Sequence, residues 1–412
     1  METLLSRFLR YVAVDTMSDE RSDSQPSTSK QLVLLSMLRD ELLAMGVDAI
    51  LDEYGYVMAT IPANTDQDVP PIGFIAHVDT SPDASGCGVK PSIINCYDGG
   101  DVVLNEELDI KIRVADFPEL SRYVGQTLIT TDGTTLLGAD DKAGVAEIMD
   151  MVQYLVETPD FIHGEVKVAF TPDEEIGRGV ARFDVSRFGA KYAYTVDGGP
   201  IGELEYENFY AAGAVIKVNG VNIHPGYAKD KMVNSMLVAM ELNALLPEEQ
   251  RPRYTSGYEG FFHLTSMTGT VEHSTLSYII RDHDQQKFEK KKQLITDAVA
   301  FLNAKYGDIV ELELTHQYSN MRKEVEPHFF IVEIARQAMI DAGVTPCVVP
   351  IRGGTDGANL SYMGLPCPNI FTGGHNFHGK YEYIPLQSMF KAVDVLKNIV
   401  ASFAVHGKNI LP

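Results

Sequence analysis

The chain has 412 residues, 45% of them hydrophobic, enough to bury a large core and to divide into two domains. Lys plus Arg total 34 against 57 Asp plus Glu, and a net charge of −23 argues against nucleic acid or an anionic membrane surface as partner. No apolar run approaches the ~20 residues that span a bilayer, and the first seven residues lack the basic-then-apolar pattern of a signal peptide. Cys87, Cys96, Cys347 and Cys367 form no CxxC pair, which argues against a thiolate zinc site and suits a reducing cytoplasm.

In chain order, residues 1–14 read as a short helix and 15–26 as a Ser/Asp-rich loop. A longer helix is expected from Ser27 or Thr28 to Met45, because Leu32, Leu35, Leu38 and Leu42 recur at helical spacing and Gly46 suits the position past the helix end. Residues 47–61 alternate as a hairpin around Tyr54-Gly55. Residues 71–76 form a continuous apolar run typical of a strand buried on both faces, and it delivers His77 and Asp79 at its carboxyl end. The Gly-rich stretch 81–135 reads as an insertion. Further strands at 165–170 and 192–196 run into Asp173-Glu174-Glu175 and Asp197. From 208 to 318 the order strand, helix, strands, helix, strand reads as a smaller α+β sandwich inserted as a unit, so 1–207 and 319–412 are two parts of one catalytic domain. The second part opens with a helix at 327–342. A strand at 369–372 then leads to His375 and His378, and a last helix starts at Leu386.

The turn Gly138-Ala139-Asp140-Asp141 opens a helix. Taken alone, Asp140 reads as an ordinary helix cap, since a carboxylate there satisfies free N–H groups and complements the dipole. Capping needs only one, and two neighbouring acids held between Gly138 and Gly144 invite a cation. Partners stand at the other strand ends: His77, Asp79, Glu174, Glu175, Asp197, and His375 or His378. Each has a bland explanation alone. A lone His is usually a surface-loop group, as His163, His263, His283, His316 and His406 are taken to be. Gathered at one edge, however, unpaired acids repel strongly unless cations bind. Imidazole plus carboxylate without thiolate suits zinc, and less selectively manganese or cobalt. Spacing does not choose between His375 and His378 as the last ligand.

His77-x-Asp79, Gly138-Ala139-Asp140-Asp141-Lys142, Asp173-Glu174-Glu175-Ile176-Gly177, Val196-Asp197-Gly198-Gly199 and His378-x-x-x-Glu382 occur in this order through nearly the whole chain. Together they resemble the signature of the co-catalytic di-zinc exopeptidases, the family of carnosine-type dipeptidases and acetylornithine deacetylase, and their flanks look most like its tripeptide-cleaving members. The resemblance implies an α/β fold: a mixed sheet flanked by helices, with an inserted α+β lid of the dimerisation type. It implies two Zn2+ per subunit, with Co2+ or Mn2+ as substitutes. Asp140 would bridge both ions, with a cis bond to Asp141. His77 and Asp197 would complete one position, and Glu175 and His378 the other, leaving His375 a supporting group. Glu174 would be the general base and Asp79 the residue that fixes the His77 tautomer.

The chemistry asks for these types. Two ions ~3.5–4 Å apart lower the pKa of a shared water towards ~7, which makes hydroxide available at neutral pH. Ligating carboxylates are occupied, so a separate acid must take the proton and hand it to the leaving amine; Glu174, beside Glu175, suits that role. Asp79 lies on the His77 side of an extended segment, although a turn before Thr80-Ser81-Pro82 would also use an Asp. By resemblance, His224 polarises the scissile carbonyl, across the interface in dimeric relatives, a contribution of ~3–4 kcal/mol; a surface-loop His is the alternative. Asn234 and Arg352 would hold the substrate's C-terminal carboxylate, with Arg281 a third candidate and Asp356 a competing partner for Arg352. The expected protein is a cytoplasmic di-zinc aminopeptidase acting on tripeptides and able to dimerise through the inserted domain. The alternative is a related dipeptidase or N-acyl amino acid deacylase. A catalytically dead scaffold would have no use for every ligand and the base.

Overall fold

The computed structural model describes residues 2–406; Met1, residues 407–412 and the His406 side chain lie outside the described residues. The chain divides into two compact units. One is Met1–Tyr206 with Lys323–Val349 and Thr355–Pro412, the other Glu207–Arg322 with Pro350–Gly354.

The first unit starts with α1 (Leu4–Val12), where the Thr3 hydroxyl accepts from the Ser6 N–H, and α2 (Gln31–Ala44), which buries Leu34, Leu35, Leu38 and Leu42. α2 begins later than its periodicity suggests, because the backbone N–H and hydroxyl of Ser27 are both taken by Asp173. β1 (Asp48–Leu51) and β2 (Val57–Ile61) form the expected hairpin, and β3 (Ile72–His77) is buried at every residue. Short strands fill the next stretch: β4 (Ser92–Ile94), β5 (Val102–Asn105), β6 (Ile110–Ile112) and β7 (Leu128–Thr130). They are followed by α3 (Ala139–Glu157), β8 (Val166–Thr171), α4 (Val185–Phe188), β9 (Tyr192–Gly198) and β10 (Glu203–Glu205).

The second unit contributes β11 (Tyr210–Asn219), α5 (Ser235–Leu245), β12 (Phe261–Gly269), β13 (His273–Asp282), α6 (Gln285–Tyr306) and β14 (Val310–Tyr318), with α7 (Arg322–Val325) at the boundary. Among the described residues it is a four-stranded antiparallel sheet ordered β12-β13-β11-β14. α5 and α6 bury Val238, Leu242, Ile295 and Leu302 against Ile216, Leu276 and Ile280. The segment Pro350–Gly354, expected in the catalytic part, groups with this unit. The Ile351 N–H donates to the Glu207 carbonyl, the His283 ring meets the Ile351 carbonyl, and Gly354 lies against Tyr318.

The first unit resumes with α8 (Phe330–Asp341), β15 (Cys347–Val348), α9 (Asp356–Tyr362), β16 (Asn369–Phe371), β17 (Tyr383–Pro385) and α10 (Leu386–His406). Among the described residues its main sheet has eight strands ordered β1-β2-β8-β3-β9-β16-β10-β15. β8, β3, β9 and β16 are parallel neighbours, and the antiparallel β2 and β10 flank them. α3 packs on β3 and β9 and against α1 and α10, while Phe183, Phe188, Leu360 and Leu365 cluster with Ile75, Ala169 and Ala193 of the strands. Parallel strands covered by helices read as unbroken apolar runs, as β3 does. Their carboxyl ends open on one edge, where such sheets place their ligands. No helix of the described residues is long and apolar enough to cross a membrane.

Candidate metal centre

The two acids of the opening turn divide the work. Asp141 does the capping: its Oδ1 accepts from the Gly144 N–H at 3.2 Å and its Oδ2 from the His77 N–H at 3.1 Å. The Asp140–Asp141 bond is cis, and neither residue has helical φ/ψ. Gly144 has no substitute here, because a Cβ would stand 1.9 Å from the Val196 carbonyl oxygen. Asp140 therefore keeps its carboxylate for something other than the helix.

That carboxylate faces two histidines. Its Oδ1 lies 3.0 Å from His77 Nε2 and its Oδ2 3.2 Å from His378 Nε2. Asp197 Oδ1 approaches the same His77 nitrogen at 3.3 Å, and Glu175 Oε2 approaches that of His378 at 3.0 Å. Among the described residues two groups could hold a metal ion, His77/Asp140/Asp197 and Asp140/Glu175/His378, each with ligand atoms within 4.8 Å of one another. One carboxylate offering an oxygen to each group is the arrangement a bridging ligand needs. β3 supplies His77, β9 supplies Asp197, the turn after β8 supplies Glu175, and the loop after β16 supplies His378 at a left-handed φ of 63°.

His77 Nδ1 sits 3.0 Å from the Asp79 carbonyl and 3.3 Å from its carboxylate, an arrangement that favours the proton on Nδ1 and leaves Nε2 free to face a cation. The same Asp79 carboxylate accepts the N–H groups of Glu174 at 2.9 Å and Glu175 at 3.2 Å. It therefore orients a histidine and holds the turn bearing the expected base. His378 Nδ1 has the exposed Asp83 carboxylate 3.5 Å away, a neighbour that the sequence reading did not single out.

The electrostatics demand positive charge. Burial opposes ionisation of Asp140, yet its bonds to His378 and His77 hold it well below the usual carboxylate range. Bonds to Asp140 and Glu175 raise His378 to about 11. Burial, then the nearby Asp140, pushes Glu175 up to about 8, and burial pushes Asp197 up to about 6. Glu174 is raised well above the usual range by burial first and Asp197 second. Glu175 Oε1 is buried with no hydrogen-bond partner among the described residues. Carboxylate-rich, thiolate-free and with one oxygen unspent, this donor set fits divalent cations.

Glu382 is the main residue whose role the sequence reading missed. Fully buried, it accepts from the N–H groups of Leu137, Gly138 and Asp140 at 2.6, 2.8 and 3.1 Å, and so ties the His378 loop to the turn carrying Asp140. Its only signal was its place four residues after His378. His375 is structural: its Nε2 meets the Tyr123 hydroxyl at 2.7 Å, its ring stacks on Tyr383, and burial pushes its pKa down to about 4.

In the second unit, His224 is an exposed loop residue whose Nδ1 accepts from the Gly226 N–H. Asn234 caps α5 by accepting from the Met236 N–H at 3.0 Å. Arg352 donates to the carbonyls of Gly257 and Glu259 and to the Thr255 hydroxyl, with Phe209 and Phe261 against its guanidinium. Asp356, the competing partner considered for it, accepts from the Thr171 hydroxyl. Arg281 is turned inward, donating to the Ala212 and Ile280 carbonyls beside the Tyr318 ring. His163 and His283, expected on the surface, are buried at 3% and 6% exposure, because each ring has a backbone carbonyl to bond.

An open α/β sheet whose carboxyl edge gathers two histidine–carboxylate groups around one aspartate is the arrangement of a metal-dependent hydrolase. Residues 206–307 match the peptidase dimerisation domain family. The chain is 60% identical over 408 residues to peptidase T of Alkaliphilus oremlandii, covering 98% of this chain and 100% of that one. Its structure is similar to that of the aminopeptidase PepT of Bacillus cereus, at 25% identity and a TM-score of 0.77, covering 97% and 98%. The fold also matches the YXEP protein of Bacillus subtilis, a dinuclear metal binding peptidase from the M20 family, at 12% identity and a TM-score of 0.67 over 97% of each chain. The chain belongs to the peptidase T family, and it is a metal-dependent aminopeptidase.

Proposed function

We propose that this enzyme releases the N-terminal residue of tripeptides with a pair of zinc ions at the groups that share Asp140. The observation that carries the reading is the Asp140 carboxylate, which presents one oxygen to the His77 group and the other to the His378 group. Bound there, divalent ions would supply Lewis acidity, lowering the pKa of water towards neutrality and polarising a carbonyl. Glu174 accepts the proton of the attacking water and returns it to the leaving amine nitrogen. Asp79 keeps the His77 proton on Nδ1 and the Glu174 backbone in place. His224 is assigned to the developing oxyanion, and Asn234 and Arg352 to the peptide's C-terminal carboxylate. Arg281, spent on carbonyls, is the weaker candidate for that carboxylate. The dimerisation-domain match supports a homodimer through the second unit, and four free cysteines suit the reducing cytoplasm as its compartment.

The test is release of free amino acid from a tripeptide, a dipeptide and an N-acetyl amino acid, before and after chelation and with zinc, cobalt or manganese restored. Preference for the tripeptide, lost with the metal and regained with zinc, is expected. A preference for the N-acetyl substrate would move the enzyme to the deacylases. Glu174→Gln should keep its metal and lose turnover; substantial residual activity would remove Glu174 as the base.

A further inference from the structure

Asp173 stands immediately before the base and belongs to neither ligand group. It is wholly buried, with a left-handed φ of 59° that few L-residues adopt unless their surroundings impose it. Its carboxylate collects three donors from the approach to α2 and its first residue: the Ser27 N–H at 2.7 Å, the Ser27 hydroxyl at 2.5 Å and the Gln31 side-chain amide at 2.7 Å. In return its own N–H donates to Gln31 Oε1 at 3.2 Å. Ser27 and Gln31 are themselves buried.

The segment before α2 has further anchors. The Ser18 N–H donates to the Thr80 carbonyl and the Thr80 N–H to the Thr16 carbonyl, while the Arg178 guanidinium donates to the Asp19 and Ser22 carbonyls. The short turn Glu174–Ile176 is thus gripped from two sides, by Asp79 at the end of β3 and through Asp173 by the start of α2. A general base works only when its oxygen is held within hydrogen-bond reach of the proton it takes, and a misplacement near 1 Å can cost about 10²-fold in rate.

We propose that Asp173 is a positioning residue for the reaction: Ser27 and Gln31 clamp its carboxylate, and the clamp fixes the direction of the neighbouring Glu174 side chain. The clamp rests on the reading of Glu174 as the base. Both Asp173 oxygens act as acceptors here. Asp173→Asn, nearly identical in shape, turns one of them into a donor that faces either Ser27 or the Gln31 amide.

The experiment measures kcat, KM, bound zinc per chain and amide hydrogen exchange over residues 172–178 for the full-length zinc-loaded enzyme, with Glu174→Gln as reference. Asp173→Asn should lower kcat by about 10²-fold, leave KM and bound zinc unchanged, and speed exchange at the Glu174 and Glu175 amides. Ser27→Ala should lower kcat less, and the pair Ser27→Ala with Asp173→Asn should be no worse than Asp173→Asn alone. A parental kcat per folded molecule, or a loss traced wholly to zinc or KM, overturns the clamp. If Asp173→Asn does not fold, Ser27→Ala with Gln31→Ala carries the test, with the same split expected and the same results overturning it. Full activity of Glu174→Gln would instead sink the base assignment itself. An inactive Glu174→Gln beside a fully active Asp173→Asn would sink only the clamp.

Discussion

One Glu382 oxygen accepts the Asp140 N–H at 3.1 Å, and the other accepts those of Leu137 and Gly138. The loop that brings His378 therefore also sets the turn that carries the shared aspartate. Glu382→Gln places an amide where three N–H groups converge, so at least one donor meets a donor. Zinc affinity should fall ~10–100-fold, read by titration against a competing chelator. Stability of the metal-free chain should fall by about 1–3 kcal/mol. An unchanged zinc affinity would show that the turn holds its shape without Glu382.

Because Asp140 serves both groups while His378 and Asp197 each serve one, substitutions should separate by stoichiometry. Asp140→Asn should leave the dialysed chain without tightly bound zinc. His378→Ala or Asp197→Ala should each retain the ion of the opposite group. Metal analysis decides it: an Asp140→Asn protein that keeps one tightly held ion would mean the aspartate is not shared.

Gly144 lies in α3, where alanine would ordinarily gain about 1 kcal/mol in helix propensity. Here its Cβ would meet the Val196 carbonyl at 1.9 Å and the Asp141 carboxylate at 2.5 Å, backbone on one side and a helix cap on the other. Gly144→Ala should therefore destabilise the chain by at least ~1–3 kcal/mol, seen as a lower denaturant midpoint at unchanged slope. A neutral or stabilised variant would mean that β9 and α3 separate freely.

Glu147 is buried in α3 with neither carboxyl oxygen hydrogen-bonded among the described residues. Burial, and then Asp150, raises its pKa well above the ordinary 4.5. The folded state thus holds a proton that the unfolded chain releases. The stability contribution is intact below about pH 4.5 and is lost as pH rises towards the folded-state pKa, at up to about 1.4 kcal/mol per pH unit. Glu147→Gln removes that slope, so its stability relative to the parent should improve as pH rises above about 4.5. Parallel unfolding curves across that range would show that Glu147 titrates normally.

Much of the scaffold was legible because burial leaves a mark in composition. The apolar run ending at His77 is typical of a strand covered on both faces, and β3 is one. Periodicity likewise placed α2 within a few residues, and the last helix starts at Leu386 as expected. It erred at the start of α2, where Ser27 is drawn to a carboxylate far along the chain, and over residues 350–354, whose partners lie in the second unit.

Order and residue type alone determine that this chain carries enough imidazole and carboxylate, and no paired thiolate, to ligate two cations from strand ends. Local sequence favoured Asp140 as the helix cap, and only the family resemblance freed it for a shared cation. The fold gives the capping contact to Asp141 instead, because the His77 and Gly144 N–H groups bond its carboxylate. Nor could local sequence assign Glu382 its partners, which stand up to 245 residues away. A carboxylate's role is set by the N–H groups and charges that close around it in space, and neither periodicity nor propensity records those.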